Sequence, residues 1–155
     1  MTTQEVSETT QIAWVRFLRA HAALTRELGA RLEAEHGLTM SDFDVLIQLY
    51  HAPDHTMRRV DIARQVLLTA SGITRLLDGL ERCGFVAKKS CPSDARVSYA
   101  VLTDEGLRKI TEARCSHHAD VDELFGAVLA PKEREQLAEL LARLPLAPTA
   151  KECSE

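Results

Sequence analysis

The chain has 155 residues, 45% of them hydrophobic and 27% charged, and its formal net charge is −4. This length allows one domain with a real core, or a smaller domain with additional dimerisation helices. The first ten residues are polar, no apolar run approaches the thickness of a bilayer, and the four cysteines form no C-x-x-C pair. These features exclude a secreted disulfide scaffold or a membrane-spanning protein, so we expect a cytoplasmic protein with reduced thiols.

The charge is distributed unevenly along the chain. Residues 57–96 contain eight basic and four acidic residues and carry a net charge of +4, so the remainder carries −8. A basic region within an acidic protein is typical of a surface that faces phosphate groups. The alternative is an ordinary cluster of charges on a solvated surface.

The N-terminal part predicts a disordered tail over residues 1–10 and a long helix over residues 11–35. The apolar stripe of this helix consists of Val15, Leu18, Ala22, Leu28 and Leu32. Gly37 suits the position just after the helix, where a left-handed backbone is common. Ser41 is predicted to cap a second helix in a capping-box-like arrangement with Asp44.

A helix-turn-helix pattern follows a loop over residues 51–55. The third helix is predicted over residues 58–66, and Thr69 is predicted to cap a fourth helix that ends at residues 83–84. The fourth helix has an apolar side formed by Ile73, Leu76, Leu77 and Leu80. Its opposite side carries small, hydroxyl-bearing and charged residues: Ala70, Ser71, Thr74, Arg75 and Asp78.

Residues 85–90 and 97–102 alternate well enough to pair as a hairpin around the turn at residues 91–95. Thr103 is predicted to cap a helix that runs to about Phe125, and Pro131 is predicted to start a last helix that extends to Leu144. Residues 145–155 are polar and predict a disordered tail.

These elements predict a mainly α fold with a small β wing. A winged helix-turn-helix domain spans residues 41–103, and dimerisation helices span residues 11–36 and 104–144. The terminal helices have apolar stripes but flank a domain that is already complete, so we expect them to pack on a second copy of the chain. A winged helix with a basic region indicates binding to double-stranded DNA.

The helix-turn-helix, from Ile62 to Val86, and the wing pattern D-x-R-x5-L-T-x-x-G resemble the MarR family of bacterial winged-helix regulators. The wing pattern is met by Asp94, Arg96, Leu102, Thr103 and Gly106. The resemblance covers residues 12–144. It implies a homodimer whose two fourth helices enter successive major grooves of a pseudo-palindrome, while the wings contact the flanking minor grooves.

By this resemblance, residues on the fourth helix and the wing are expected to contact DNA. The contacts that the resemblance implies are Ser71, Thr74, Arg75 and Arg96, with Asp94 shaping the wing. Arg58, Lys88 and Lys89 of the basic region are expected to contact DNA as well. Two positions depart from the family pattern, because Gly79 and Ala95 stand where members often carry arginine. The alternatives are that Arg75 is an ordinary surface arginine and that Arg96 forms a structural ion pair with Asp94.

The resemblance also implies a small-molecule effector, expected to be aromatic, between the dimerisation and DNA-binding parts. Trp14, Arg16 and His21 on the first helix are the candidate ligand-binding residues. Because a lone tryptophan on an apolar stripe is often part of a core, Trp14 has that alternative role. The predicted function is a dimeric repressor that the effector releases from its operator; the rival is a helical interaction or ligand-binding module whose winged helix does not bind DNA.

Two sensing chemistries remain as minor alternatives. His51 and His55 are spaced i, i+4, and Cys115 lies near His117 and His118, but neither set has an established zinc-ligand spacing. Cys91 at the wing turn follows Lys88 and Lys89, which could favour its thiolate. No catalytic motif or cofactor-binding loop is recognised, so we expect neither an enzyme nor a cofactor, and no metal site.

Overall fold

The computed structural model of the chain describes residues 7–66 and 70–144, with side chains of the helix that begins at Ala70 described from residue 72 onward. The helices are α1 (Glu8–His36), α2 (Met40–His51), α3 (Arg59–Gln65), α4 (Ala70–Arg82), α5 (Asp104–Val121) and α6 (Pro131–Leu141). The strands are β1 (Thr56–Arg58), β2 (Val86–Ser90) and β3 (Ser98–Leu102). The predicted fold class, mainly α with a small β wing, is confirmed.

The three strands form one antiparallel sheet with β3 in the centre, in the order β1-β3-β2. The register pairs Arg58 of β1 and Lys89 of β2 with the same residue of β3, Tyr99. Residues paired directly across antiparallel strands project from the same face. The sheet therefore aligns these three side chains in one row.

The hydrophobic core lies between α2, α3, α4, α5 and the sheet. Its fully buried side chains include Leu46, Leu49, Ile62, Leu77 and Ile110. Burial of such side chains contributes roughly 1.5–3 kcal/mol each, so this core is the main source of stability of the central domain. Of the predicted apolar stripe of α4, Ile73, Leu77 and Leu80 are buried and Leu76 is half-buried.

The start of α1 corrects the predicted N-terminal tail. The Ser7 hydroxyl accepts a hydrogen bond from the Thr10 amide, 3.2 Å away, and the helix begins at Glu8 rather than at Gln11. Residues 8–10 are therefore helical. Gly37 ends the helix in the left-handed conformation that was predicted, with φ of 66° and its amide directed at the Glu33 carbonyl.

The predicted cap of α2 is wrong by two residues. Thr39, not Ser41, is the N-cap, and its partner in the capping box is Asp42. The Asp42 carboxylate accepts hydrogen bonds from the Thr39 amide at 2.9 Å and from the Thr39 hydroxyl at 2.7 Å. The sequence offers two overlapping hydroxyl-x-x-Asp patterns, and the choice of the first leaves Asp44 without a capping role.

Four further boundaries differ from the predicted ones. His51 ends α2 instead of opening a loop, and Thr56–Arg58 forms an edge strand that was not predicted, so Arg58 precedes α3. Helix α5 ends at Val121 and is followed by a π-helical turn, Asp122–Gly126, while α6 ends at Leu141. The predicted Thr69 cap, residues 1–6 and the tail at 145–155 lie outside the described residues. No helix in the described parts is long and apolar enough to span a membrane.

Candidate nucleic-acid interface and apolar pocket

Helix α4 presents a polar surface on the side away from the core. Its buried residues are spaced for one face, and Thr74, Arg75 and Asp78 are exposed on the remaining surface. An exposed arginine with a small neighbour such as Thr74 can approach base edges or phosphates. The side chain of Ser71, also predicted to contact DNA, lies outside the described residues.

A cross-helix ion pair fixes α3 relative to α4. The Arg59 Nη2 atom lies 3.4 Å from Asp78 Oδ1, and the Arg59 side chain is only 16% exposed. This contact places the Arg59 guanidinium beside the carboxylate of Asp78 on the exposed side of α4. It offsets the repulsion that an isolated carboxylate would exert on a phosphate backbone.

The wing carries a row of cationic groups across its outer face. Arg58, Tyr99 and Lys89 are aligned by the strand register, and both basic side chains are exposed. A hydrogen bond with Tyr99 raises the pKa of the Arg58 guanidinium, so Arg58 remains charged. Lys88 is exposed as well, but it is paired with Ala100 and projects from the opposite face. The two lysines therefore leave the sheet on opposite faces.

Asp94 organises the turn of the wing. Its Oδ1 atom accepts a hydrogen bond from the Arg96 amide at 3.0 Å, and its carbonyl accepts one from the Val97 amide at 3.0 Å. The Arg96 side chain is exposed. The Asp94 carboxylate thus contacts the backbone amide of Arg96, while the Arg96 side chain is exposed at the wing tip.

The base of the wing explains two other residues of the wing pattern. The Thr103 hydroxyl donates to the Gly84 carbonyl at 2.6 Å and accepts from the Gly106 amide at 3.0 Å. Gly106 packs directly on the turn before β2, where an added Cβ would clash with the Phe85 carbonyl. Thr103 therefore joins the wing to α5 by hydrogen bonds, and Gly106 does so by close packing.

Cys91 lies at the end of β2 with its Sγ atom 3.2 Å from the Ser93 hydroxyl. Hydrogen bonds from the Ser93 side chain, the Ser93 backbone and the Asp94 backbone lower the pKa of the thiol, and the Arg58 charge contributes. These groups, rather than the predicted Lys88 and Lys89, favour the thiolate. Of the candidate metal ligands, His55 already uses Nδ1 to contact the Tyr50 carbonyl at 2.9 Å. In residues 7–66 and 70–144, no three potential ligand side chains gather into a metal site.

An open pocket of about 460 Å³ lies where α1 meets α2 and α5. Its apolar wall consists of Leu24, Leu28, Met40 and Phe43, and its titratable lining residues are His21, Asp44 and His117. The His117 ring packs against Phe43 with the ring centroids 4.5 Å apart, and its buried Nδ1 has no hydrogen-bond partner. Burial, together with the charge of His118, lowers the pKa of His117.

The three predicted ligand-binding residues do not share one pocket. His21 lines the pocket just described, whereas Trp14 lies farther along α1 in a groove against α6. That groove is lined by Trp14, Phe17, Leu137, Leu140, Leu141 and Leu144, among others. Arg16 is exposed and lines neither of these two sites. Aromatic contacts connect them along α1, from Trp14 to Phe17 at 6.2 Å and from Phe17 to His21 at 6.5 Å.

Hydrogen bonds connect α1 with α5 near the pocket. The Arg31 guanidinium contacts Asp120 at 2.7 Å and Glu123 at 3.0 Å. At the end of α1, His36 Nε2 lies 2.5 Å from the Ser116 hydroxyl, and Lys109 Nζ donates to the His36 carbonyl. The long first helix is thus fixed to the helix that follows the wing.

Comparisons with known proteins support the winged-helix fold. The sequence profile of the MarR family matches residues 38–98. The chain is 31% identical over 128 residues to the HTH-type transcriptional regulator MhqR of Bacillus subtilis, a match that covers 83% of this chain and 86% of that protein. It is 29% identical to the HTH-type transcriptional repressor YetL of the same organism, over 72% of this chain and 66% of that protein.

The chain belongs to the MarR family. The crystal structure of the MarR-family regulator Sco3205 from Streptomyces coelicolor in complex with DNA has a TM-score of 0.85 and 25% identity. That match covers 91% of this chain and 88% of Sco3205. The protein is therefore a MarR-family transcriptional regulator with the winged-helix fold of DNA-binding relatives. Its relatives named above are regulators rather than enzymes.

Proposed function

We propose that this MarR-family protein acts as a homodimeric repressor that binds a pseudo-palindromic operator and is released by a small aromatic effector. The DNA-binding part of this proposal is supported mainly by one observation. The exposed surface of α4 around Arg75 lies on the same domain as the row formed by Arg58, Tyr99 and Lys89. The first surface suits base edges in the major groove, and the second suits phosphates or the minor groove. The name of the relative YetL supports the choice of repressor.

The dimer is supported by the apolar groups that α1 and α6 leave exposed. Trp14 is 58% exposed, and Leu140 and Leu144 are 47% and 48% exposed. Helix α6 has 11 residues and buries none of them in the described chain. Helices this short are marginal in water without tertiary packing, so a second copy of the chain is the partner that the surface fits.

The effector part is supported by the position of the α1–α2–α5 pocket. Helix α1 belongs to the proposed dimer contact, while α2 packs into the DNA-binding domain. A molecule held between them would favour one angle between these parts over another. Release follows if the favoured angle moves the two α4 helices away from the spacing of one DNA turn.

Selection from a library of random DNA duplexes tests the proposal. We expect the purified protein to enrich a pseudo-palindrome with half-sites about 10 base pairs apart, bound by two chains per duplex in sedimentation. Lys89→Glu should weaken this binding, whereas Arg26→Glu, which reverses an exposed charge on α1, should not. Failure to enrich or retain any duplex would contradict the proposal and favour the interaction-module alternative.

A reporter assay tests the sign of regulation. Transcription from a promoter that contains the selected sequence should fall when the protein is expressed. A rise in transcription would show an activator and would contradict the repressor part alone.

A further inference from the structure

Asp44 is an unusual residue to find in the α1–α2–α5 pocket. Its carboxyl group lines a space whose walls are mainly aliphatic and aromatic, and burial raises its pKa above the ordinary value. Because Asp42 caps α2, Asp44 has no role at the helix start. Its side chain has a hydrogen bond with Gln48, but the described residues offer it no salt-bridge partner.

The rest of the pocket supplies no permanent positive charge. Among the described residues that line it, the basic groups are His21 and His117 and there is no arginine or lysine. The lowered pKa of His117 keeps that imidazole neutral at pH 7. A ligand carboxylate would therefore meet Asp44 with no arginine or lysine in the lining to offset its charge, which is costly in a partly desolvated site.

We propose that this pocket selects a small aromatic ligand that carries a protonated amine, with the Asp44 carboxylate as its counter-ion. The aromatic ring would lie against the apolar wall near Phe43, while the ammonium group donates to Asp44. A partly buried carboxylate that lacks a cation gains a partner from such a ligand, and charge-assisted hydrogen bonds are stronger than neutral ones. The inference assigns a chemical class to the proposed effector, so its regulatory meaning rests on the proposed function.

His117 supplies a second point of recognition. Its Nδ1 atom is buried and unpartnered, and buried polar atoms of this kind usually find a hydrogen-bond partner. A ligand that also bears a hydroxyl or amide group can provide that partner. The neutral imidazole does not repel an ammonium group, so both interactions are compatible.

Calorimetric titration at pH 7.5 with three probes of similar shape tests the charge selection. The probes are 2-phenylethylamine, 2-phenylethanol and 3-phenylpropionate, and the proteins are the full chain, Asp44→Asn and Glu33→Gln. We expect the amine to bind the full chain at least tenfold more tightly than the alcohol, with the carboxylate weakest. Asp44→Asn should remove the preference for the amine, while Glu33→Gln, which removes an exposed acid on α1, should keep it.

Two results would overturn the inference: carboxylate binding as tight as amine binding by the full chain, or an unchanged amine preference in Asp44→Asn. The comparison of the three probes on the unaltered protein needs no variant, so its result remains valid even if Asp44→Asn fails to fold. Titration is carried out without DNA, and DNA binding is measured separately by anisotropy. Absence of the amine preference with intact operator binding refutes only the inference, whereas amine binding without operator binding refutes only the proposed function.

Discussion

Gly106 shows how a single residue fixes the wing relative to α5. An ideal Cβ at this position would clash with the Phe85 carbonyl oxygen and lie 2.8 Å from the carbonyl carbon and 2.9 Å from Leu102 Cδ1. Two of these three atoms belong to the backbone, which cannot move aside as a flexible side chain can. The glycine of the wing pattern is therefore required by packing.

Gly106→Ala should destabilise the protein by roughly 1–3 kcal/mol, the cost of overpacking, even though alanine favours helices. Gly79→Ala is the matched control, because only the end of the Arg82 side chain lies within 4.0 Å of an added Cβ. That change should stabilise α4 by up to about 1 kcal/mol. Urea denaturation followed by circular dichroism measures both free energies of unfolding. If both substitutions changed the free energy of unfolding by the same amount and in the same direction, the packing role of Gly106 would be contradicted.

Helices show where sequence patterns are sufficient and where they are not. The stripe at Ile73, Leu77 and Leu80 predicted the buried side of α4 because the spacing alone defines a face. The cap of α2 is not determined by sequence alone, since Thr39-x-x-Asp42 and Ser41-x-x-Asp44 are equivalent as sequence patterns. Strand β1 has three residues, which are too few to show an alternating pattern. Its pairing with β3 also depends on residues that are distant in the sequence.

The terminal helices α1 and α6 form the proposed dimer contact. Leu140→Glu places a charge in the groove between α1 and α6 and should weaken the dimer at least tenfold, because burial of a leucine is worth about 1.5–3 kcal/mol. Ala138→Glu introduces the same charge at an exposed position of α6 outside that groove and should have little effect. Sedimentation equilibrium measures both dissociation constants. A stable, folded monomer of the unaltered chain at micromolar concentration would refute the dimer itself.

For the whole molecule, the proposed DNA-binding surface is more local in the sequence than the pocket. The basic region, the exposed side of α4 and the wing turn lie within residues 57–96, so local patterns bring them together. The pocket joins His21, Asp44 and His117 from three helices separated along the chain. Only the packing of α1 on α2 and α5 creates it, so the sequence of α1 alone cannot separate His21, which lines the pocket, from Trp14 and Arg16, which do not.

We propose that α4 reads the DNA sequence while the wing holds the DNA backbone. Fluorescence anisotropy should compare the unaltered protein, Arg75→Ala and Arg96→Ala on the selected operator and on a scrambled duplex of equal length, over a range of salt concentrations. Arg75→Ala should cost roughly 1–3 kcal/mol on the operator alone. Arg96→Ala should weaken binding to both duplexes by similar factors and lower the salt slope by about 1 for each phosphate that the arginine no longer neutralises. Equal weakening of operator and scrambled binding by Arg75→Ala would contradict the claim.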